Sequence, residues 1–252
     1  MFSLLLRCAP EEEDRLTAEL WEQGTAGVSD EPGGLRAFFE EASLAGDLLQ
    51  RFARFSPELR VEVDTDWQRA SEEAWPPLLV GERFFLAAPW RSDPTPAGRI
   101  RLPIYPGMAC GTGHHPATQL CLEAMERTVK RGDTVLDVGS GSGILSQAAV
   151  LLGAAQVIGC DIDEEAVRIA RERVDVPFFV GSVDAVVSSV ADVIVANISS
   201  PAAEELAADL RRVRKMTSAL ILSGFEEDDT PEGYVPAHVL SRGGWSCFIV
   251  RG

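Results

Sequence analysis

An apolar stretch runs straight into glycines at Thr134-Val-Leu-Asp-Val-Gly-Ser-Gly-Ser-Gly143. Gly139, Gly141 and Gly143 permit the tight, positive-φ backbone that lets a ligand approach just past a buried strand, where open α/β sheets bind. Their spacing is G-x-G-x-G, whereas the dinucleotide fingerprint is G-x-G-x-x-G with a pyrophosphate at a helix N-terminus. A nicotinamide cofactor, and with it a dehydrogenase, is therefore disfavoured. Asp137, two residues before the first glycine, would repel a phosphate and attract an ammonium. S-adenosylmethionine carries that ammonium and no phosphate. Asp161, in Gly-Cys-Asp-Ile-Asp, follows Gly139 by twenty-two residues. There a carboxylate can accept two hydrogen bonds from ribose hydroxyls.

Further candidates lie along the same half of the chain. Ser182 and Val183, in Gly181-Ser-Val-Asp184, would flank an adenine, and Asp184 could equally cap a helix. Asn197, in Val195-Ala-Asn-Ile-Ser-Ser200, would place an amide beside the reactive methyl, or simply form a turn. The run Pro106-Gly-Met-Ala-Cys-Gly-Thr-Gly-His-His-Pro-Ala-Thr118 reads as a flexible cover, with Thr112 and Gly113 among the ligand contacts. Thr118 falls in the first turn of the next helix, where a hydroxyl and free N–H groups can meet a carboxylate. His114 and His115 suggest a metal, but sequence neighbours point apart and no carboxylate set accompanies them, so no metal is expected. Cys110 reads as an apolar filler without a group to activate it.

The elements that must position these residues follow from periodicity. From residue 99 onward strands and helices alternate, which predicts a mostly parallel, doubly wound, Rossmann-like sheet. Strands are expected at Thr134 to Val138, Gln156 to Cys160, Phe178 to Val180, Ala191 to Ala196, Ala219 to Leu222, near Val235, and at Trp245 to Val250. Helices are expected at Gly143 to Leu152, Glu164 to Val174 and Ala202 to Arg214. Residues 1–66 read as strand, helix, strand, strand, helix, strand, a small α+β ferredoxin-like domain. Its first strand is Phe2 to Cys8, and its first helix begins behind Pro10 with Leu16 and Leu20 inward and Gly24 as its stop. A hairpin turns at Glu31 to Gly34, a second helix covers Ser43 to Phe55, and Leu59 to Val63 closes the sheet. Residues 67–98 read as a connector, with a helix from Trp67 to Trp75 and turns at Asp93 to Gly98. Residues 99–252 then form the ligand-binding domain.

The 252 residues carry 23 Lys plus Arg against 39 Asp plus Glu, a net charge of −16, with 46% apolar residues. This is a globular composition. Residues 1–66 hold 6 basic and 15 acidic side chains, so the acid is concentrated there. Such a charge argues against direct nucleic-acid binding and favours a cationic protein partner. No stretch reads as a membrane span or a secretory leader, which predicts a cytoplasmic protein. Five scattered cysteines without a C-x-x-C pair point to neither disulfides nor zinc.

With these residues in hand, the chain resembles the bacterial PrmA family, which methylates ribosomal protein L11. The resemblance covers nearly the whole chain. It rests on Asp66-Trp67 with Trp75, Phe85 to Trp90, the loop Pro106 to Thr118 with its specific Gly-Thr-Gly-x-His-Pro signature, the glycine turn, Gly-Cys-Asp-Ile-Asp and Val-Ala-Asn-Ile. It implies a class I methyltransferase domain in which Thr118, Gly139, Asp161 and Asn197 contact S-adenosylmethionine, leaving S-adenosylhomocysteine as product. It also implies a monomeric enzyme whose acidic N-terminal domain recognises L11 and moves relative to the catalytic domain. The methylated nucleophiles would be lysine side chains and the terminal α-amino group, oriented by Asn197 and adjoining carbonyls. Cys110 stands where the family has an aromatic, Ala117 where it has Thr, and the segment after Gly224 is short. Rival readings are a methyltransferase for another protein or a small-molecule amine, and a cofactor-binding protein without transfer activity. A nucleic-acid or glutamine methyltransferase is disfavoured because Ile198-Ser-Ser, not Pro-Pro-aromatic, follows Asn197.

Overall fold

In the computed structural model, residues 2–9, 12–61, 75–105 and 113–252 are described. Trp67, Cys110 and Thr112, and the expected Trp67 to Trp75 helix, lie outside them, apart from Trp75 itself. The chain divides into two compact units, residues 1–74 and 75–252.

The first unit is built from strand β1 (Phe2–Arg7), helix α1 (Glu13–Glu22), β2 (Gly27–Glu31), β3 (Gly34–Phe39), α2 (Ala45–Arg51) and β4 (Glu58–Val61). Its sheet is antiparallel with the order β2-β3-β1-β4. Leu16 and Leu20 of α1 and Leu48 of α2 bury against Phe2, Leu4, Leu6, Leu35 and Phe39. Spacing of i, i+4 puts Leu16 and Leu20 on one helix face, which is why α1 lies where it does. Gly24 and Gly33 take positive φ, of 78° and 80°, at the end of α1 and in the β2–β3 hairpin. Those are left-handed positions that favour glycine.

In the second unit the Phe84 to Ala88 stretch belongs to a small sheet. Strands β5 (Leu78–Val80), β6 (Phe84–Ala87) and β7 (Ile100–Pro103) pair in that order. Their Val80, Phe84, Leu86 and Leu102 share a core with Leu120 and Met125 of helix α3 (Pro116–Thr128). The Glu126 carboxylate of α3 accepts from the backbone N–H groups of Glu82 (2.8 Å), Arg83 (2.8 Å) and Phe84 (3.2 Å), fixing the β5–β6 turn. Residues 75–98 are thus part of this unit rather than a linker.

The main sheet contains β8 (Thr134–Val138), β9 (Gln156–Asp161), β10 (Phe178–Val180), β11 (Ala191–Asn197), β12 (Arg214–Glu226), β13 (His238–Arg242) and β14 (Trp245–Arg251). Its order is β10-β9-β8-β11-β12-β14-β13. The first five strands run parallel, while β14 is antiparallel to both β12 and β13. Helices α4 (Ile144–Leu152), α5 (Glu164–Arg173), α6 (Ser200–Glu205) and α7 (Ala207–Val213) connect the parallel strands. Two apolar layers, one on each face, enclose the sheet. Three expectations need correction. The Ala202 to Arg214 helix begins earlier, at Ser200, because Pro201 suits a first turn, and it divides at Leu206, where ψ is 0°. Arg214 already belongs to β12, which is far longer than Ala219 to Leu222. Val235 is exposed and outside any strand; Pro236 carries no N–H to donate, so pairing starts with Ala237 N–H to Ile249 O and β13 begins at His238.

Candidate functional site

The sheet reverses its winding between β8 and β11, the place where open α/β sheets open a crevice beyond their strand ends. Asp137 pairs in register with Val195 and Gly159 there. After β8 the chain turns on Gly139, Gly141 and Gly143, with φ of 72°, 51° and 81°. The turn is anchored from below, since the Gly139 and Ser140 N–H groups both donate to Cys160 O at 2.9 and 3.0 Å. A Cβ on Gly139 would stand 2.8 Å from Ile198 Cγ2, and one on Gly143 would stand 3.1–3.3 Å from Val174, Ala170 and Phe178. Gly139 therefore needs both its dihedral freedom and its missing side chain.

Asp161 ends β9 beside this turn. Its Oδ2 accepts from Gly141 N–H at 2.9 Å and its Oδ1 from Asp163 N–H at 3.0 Å. The carboxylate locks the turn while each oxygen keeps acceptor capacity for a second donor. Ser182 precedes a single 3-10 turn, Val183–Ala185, and is partly buried, whereas the Val183 side chain is wholly within the core. Arg212 of α7 fixes that turn by donating to the carbonyls of Val183, Asp184 and Val186.

Thr118, in the first turn of α3, meets Asn197 at the end of β11. Asn197 Nδ2 donates to Thr118 Oγ1 at 3.3 Å. Residues seventy-nine apart in sequence are thus joined as a polar pair. Ile198 is held between the glycine turn and the end of β12, its N–H donating to Ser223 O at 2.8 Å. The start of α3 is fixed from several directions. His115 caps it, its Nδ1 accepting from Ala117 N–H at 3.3 Å, and its ring lies edge-on to Trp245 at 4.4 Å. Gln119 donates to His114 O at 2.8 Å and accepts from Arg242, which also pairs with Glu123. His115 thus serves as a helix cap, while the His114 ring lies edge-on to Trp75 at 4.7 Å with its Nδ1 buried and without a partner; among the described residues there is no group of three metal-ligating side chains. Gly113, with φ 80°, is packed against Leu86, Ile104 and Ile144 rather than open.

Asp137 is completely buried. Its Oδ2 accepts from the Ser146 N–H at 2.9 Å and hydroxyl at 2.7 Å, while Oδ1 has no partner. Burial is the main force that lifts its pKa to about 6, opposed by the Ser146 hydrogen bonds and reinforced by the charge of Asp161. Burial, with the Asp137 charge second, pushes the neighbouring Cys160 thiol up to about 12, which leaves it inert. An acceptor buried without a donor is costly. A cationic group arriving there would satisfy it, so the residues present suit a ligand bearing an ammonium next to a glycine turn. Ser146 had no sequence signal beyond a hydroxyl in the first turn after the glycines, and a small polar residue there is common.

A five-strand parallel stretch in this order, with the penultimate position filled by an antiparallel last strand, is the class I methyltransferase fold. Residues 2–251 match the family model described as ribosomal protein L11 methyltransferase (PrmA). The chain belongs to that family. A ribosomal protein L11 methyltransferase of Cupriavidus necator is 38% identical over 202 residues, 75% of this chain and 66% of that protein. One of Geobacter sulfurreducens is 37% identical over 244 residues, 86% of this chain and 81% of that protein. A crystal structure of a ribosomal protein L11 methylase from Lactobacillus delbrueckii aligns with a TM-score of 0.63 at 27% identity, covering 69% of this chain and 98% of that one. The matched part thus spans about two thirds of the length of several relatives.

Proposed function

We propose that this protein transfers methyl groups from S-adenosylmethionine to amines of ribosomal protein L11, on lysine side chains and the terminal α-amino group. The observation that carries the reading is the Thr118–Asn197 pair at the end of β11, the strand that pairs with β8 and its glycine turn at the switch point of the sheet, in a chain of the L11 methyltransferase family. When bound, S-adenosylmethionine supplies a methyl already activated on a sulfonium. The protein's part is then to position the nucleophile in line with it. Asp161 and the glycine turn would hold the ribose side, Ser182 the adenine side, and Thr118 and Asp137 the methionine carboxylate and ammonium. With Nδ2 of Asn197 turned to Thr118, the amide oxygen is left to accept from an amine N–H and direct the lone pair toward the methyl. The incoming amine must be neutral, which desolvation in the crevice favours. Repeated methylation requires that the methylammonium left by each transfer lose a proton and that the amine rotate so that its lone pair again faces the methyl. The acidic first unit supports a cationic protein substrate, because opposite charge steers encounter.

The test is the intact mass of unmethylated large-subunit ribosomal proteins incubated with the purified protein and S-adenosylmethionine. Methyl increments confined to L11, with fragment masses on lysines and the N-terminus, are expected. Increments on another protein would reassign the substrate; none at all, with donor binding confirmed, would refute transfer to ribosomal amines.

A further inference from the structure

We propose that Ser146 is a positioning residue of this site: by holding one oxygen of Asp137, it presents the other as the acceptor for the ammonium of the bound ligand. The inference rests on the donor reading above. Three observations carry it. Asp137 and Ser146 are both wholly buried, so water does not compete for the hydrogen bonds between them. Ser146 engages Oδ2 twice, with its N–H at 2.9 Å and its hydroxyl at 2.7 Å, which fixes the carboxyl plane. Oδ1 is left as a buried acceptor without a donor, a state that a ligand N⁺–H relieves.

The groups around Asp137 decide how its charge responds to pH. Strand β9 contributes Asp161 and Cys160, and α3 contributes Cys121. On β11 the titratable side chain is Asp192, occupied with the Thr134 N–H and Lys215. Helix α4 contributes only the Ser146 donors. No cation faces Asp137 among these, so the two donors of Ser146 are what opposes burial in keeping it charged. Removal of the hydroxyl raises the pH at which Asp137 loses its proton, and the ligand ammonium then meets a neutral acid.

The experiment is calorimetric titration of the full chain with S-adenosylhomocysteine, which bears the ammonium, and with 5′-methylthioadenosine, which lacks it, from pH 5.5 to 8. For the parent protein, S-adenosylhomocysteine affinity is expected to fall toward about tenfold per pH unit below the Asp137 midpoint, while methylthioadenosine affinity stays level. Ser146→Ala should move that midpoint upward, so that affinity drops severalfold near pH 6.5 and recovers toward pH 8. Ser146→Thr, which keeps a hydroxyl, should restore the parent profile. Methylthioadenosine binding reports whether each variant is folded. An unchanged profile in Ser146→Ala, or an equal loss of both ligands, overturns the positioning role and leaves the donor reading intact. If neither ligand binds the parent protein, the donor reading fails and takes this inference with it.

Discussion

A buried carboxyl whose pKa is raised has a definite thermodynamic sign. Asp137 ordinarily titrates at 3.8 and here at about 6. Between those values the folded protein keeps a proton that the unfolded chain has released, so this group's contribution to stability falls as pH rises through the window. Two pH units correspond to about 3 kcal/mol. Asp137→Asn should therefore unfold at higher denaturant at pH 7, by up to about 3 kcal/mol, and lose S-adenosylhomocysteine binding; a variant no more stable than the parent would contradict the buried charge. Gly139→Ala forces a side chain into φ 72° and against Ile198. A destabilisation of about 1–3 kcal/mol in thermal unfolding, with loss of donor binding, is expected. Asn197→Ala should lower kcat about 100-fold through misplacement of the amine, with donor affinity changed far less. Normal turnover in that variant would remove Asn197 from the chemistry. Among these residues, Asp137, Gly139 and Asp161 stand out in the sequence because glycine spacing and a carboxylate at a strand end are rare together. Ser146 does not, since only the fold reveals which acceptor its hydroxyl serves.

The elements were legible in proportion to how locally they are determined. Strands β8 to β11 are apolar runs bounded by turns, and each forms where its residues predict. Strands β5 to β7 are short runs set among Pro76, Pro77, Pro94 and Pro96, the composition of a linker. They become a sheet through Glu126, more than forty residues away, whose carboxylate receives three N–H groups. No window of sequence contains that interaction. Glu126→Ala strands those donors, and a loss of about 1–3 kcal/mol is expected. Hydrogen exchange should quicken at the amides of residues 82–84 before it does elsewhere in the second unit. Equal protection in the variant would show that the turn is held by its apolar packing instead. The start of β13 is not legible for a similarly plain reason: Val235 has strand propensity, but Pro236 interrupts the donors a strand edge needs.

At the scale of the molecule, charge and strand order matter most. The first 66 residues carry 15 acidic and 6 basic side chains, and long-range attraction to a cationic substrate is screened by salt. Raising ionic strength from 0.02 to 0.2 M should lower kcat/KM for L11 at least severalfold while leaving the affinity for S-adenosylhomocysteine nearly unchanged. Glu40→Gln with Glu41→Gln, both exposed on the first unit, should flatten that dependence; an unaltered slope would place the recognition charge elsewhere. The two units' existence was visible in the switch from antiparallel to alternating patterns, but the boundary was not, because residues 75–98 borrow their core from helix α3. The strand order also bears on how the protein is made. Strand β14 lies between β12 and β13, yet it leaves the ribosome after both. It carries Trp245, the ring against His115, and follows Arg242, the cation that holds Gln119 and Glu123. A nascent chain that has not passed residue 245 has a slot in its sheet and a loosely held first turn of α3. Threading β14 between β12 and β13 is therefore what sets Trp245 and Arg242 against the turn of α3 that carries Thr118.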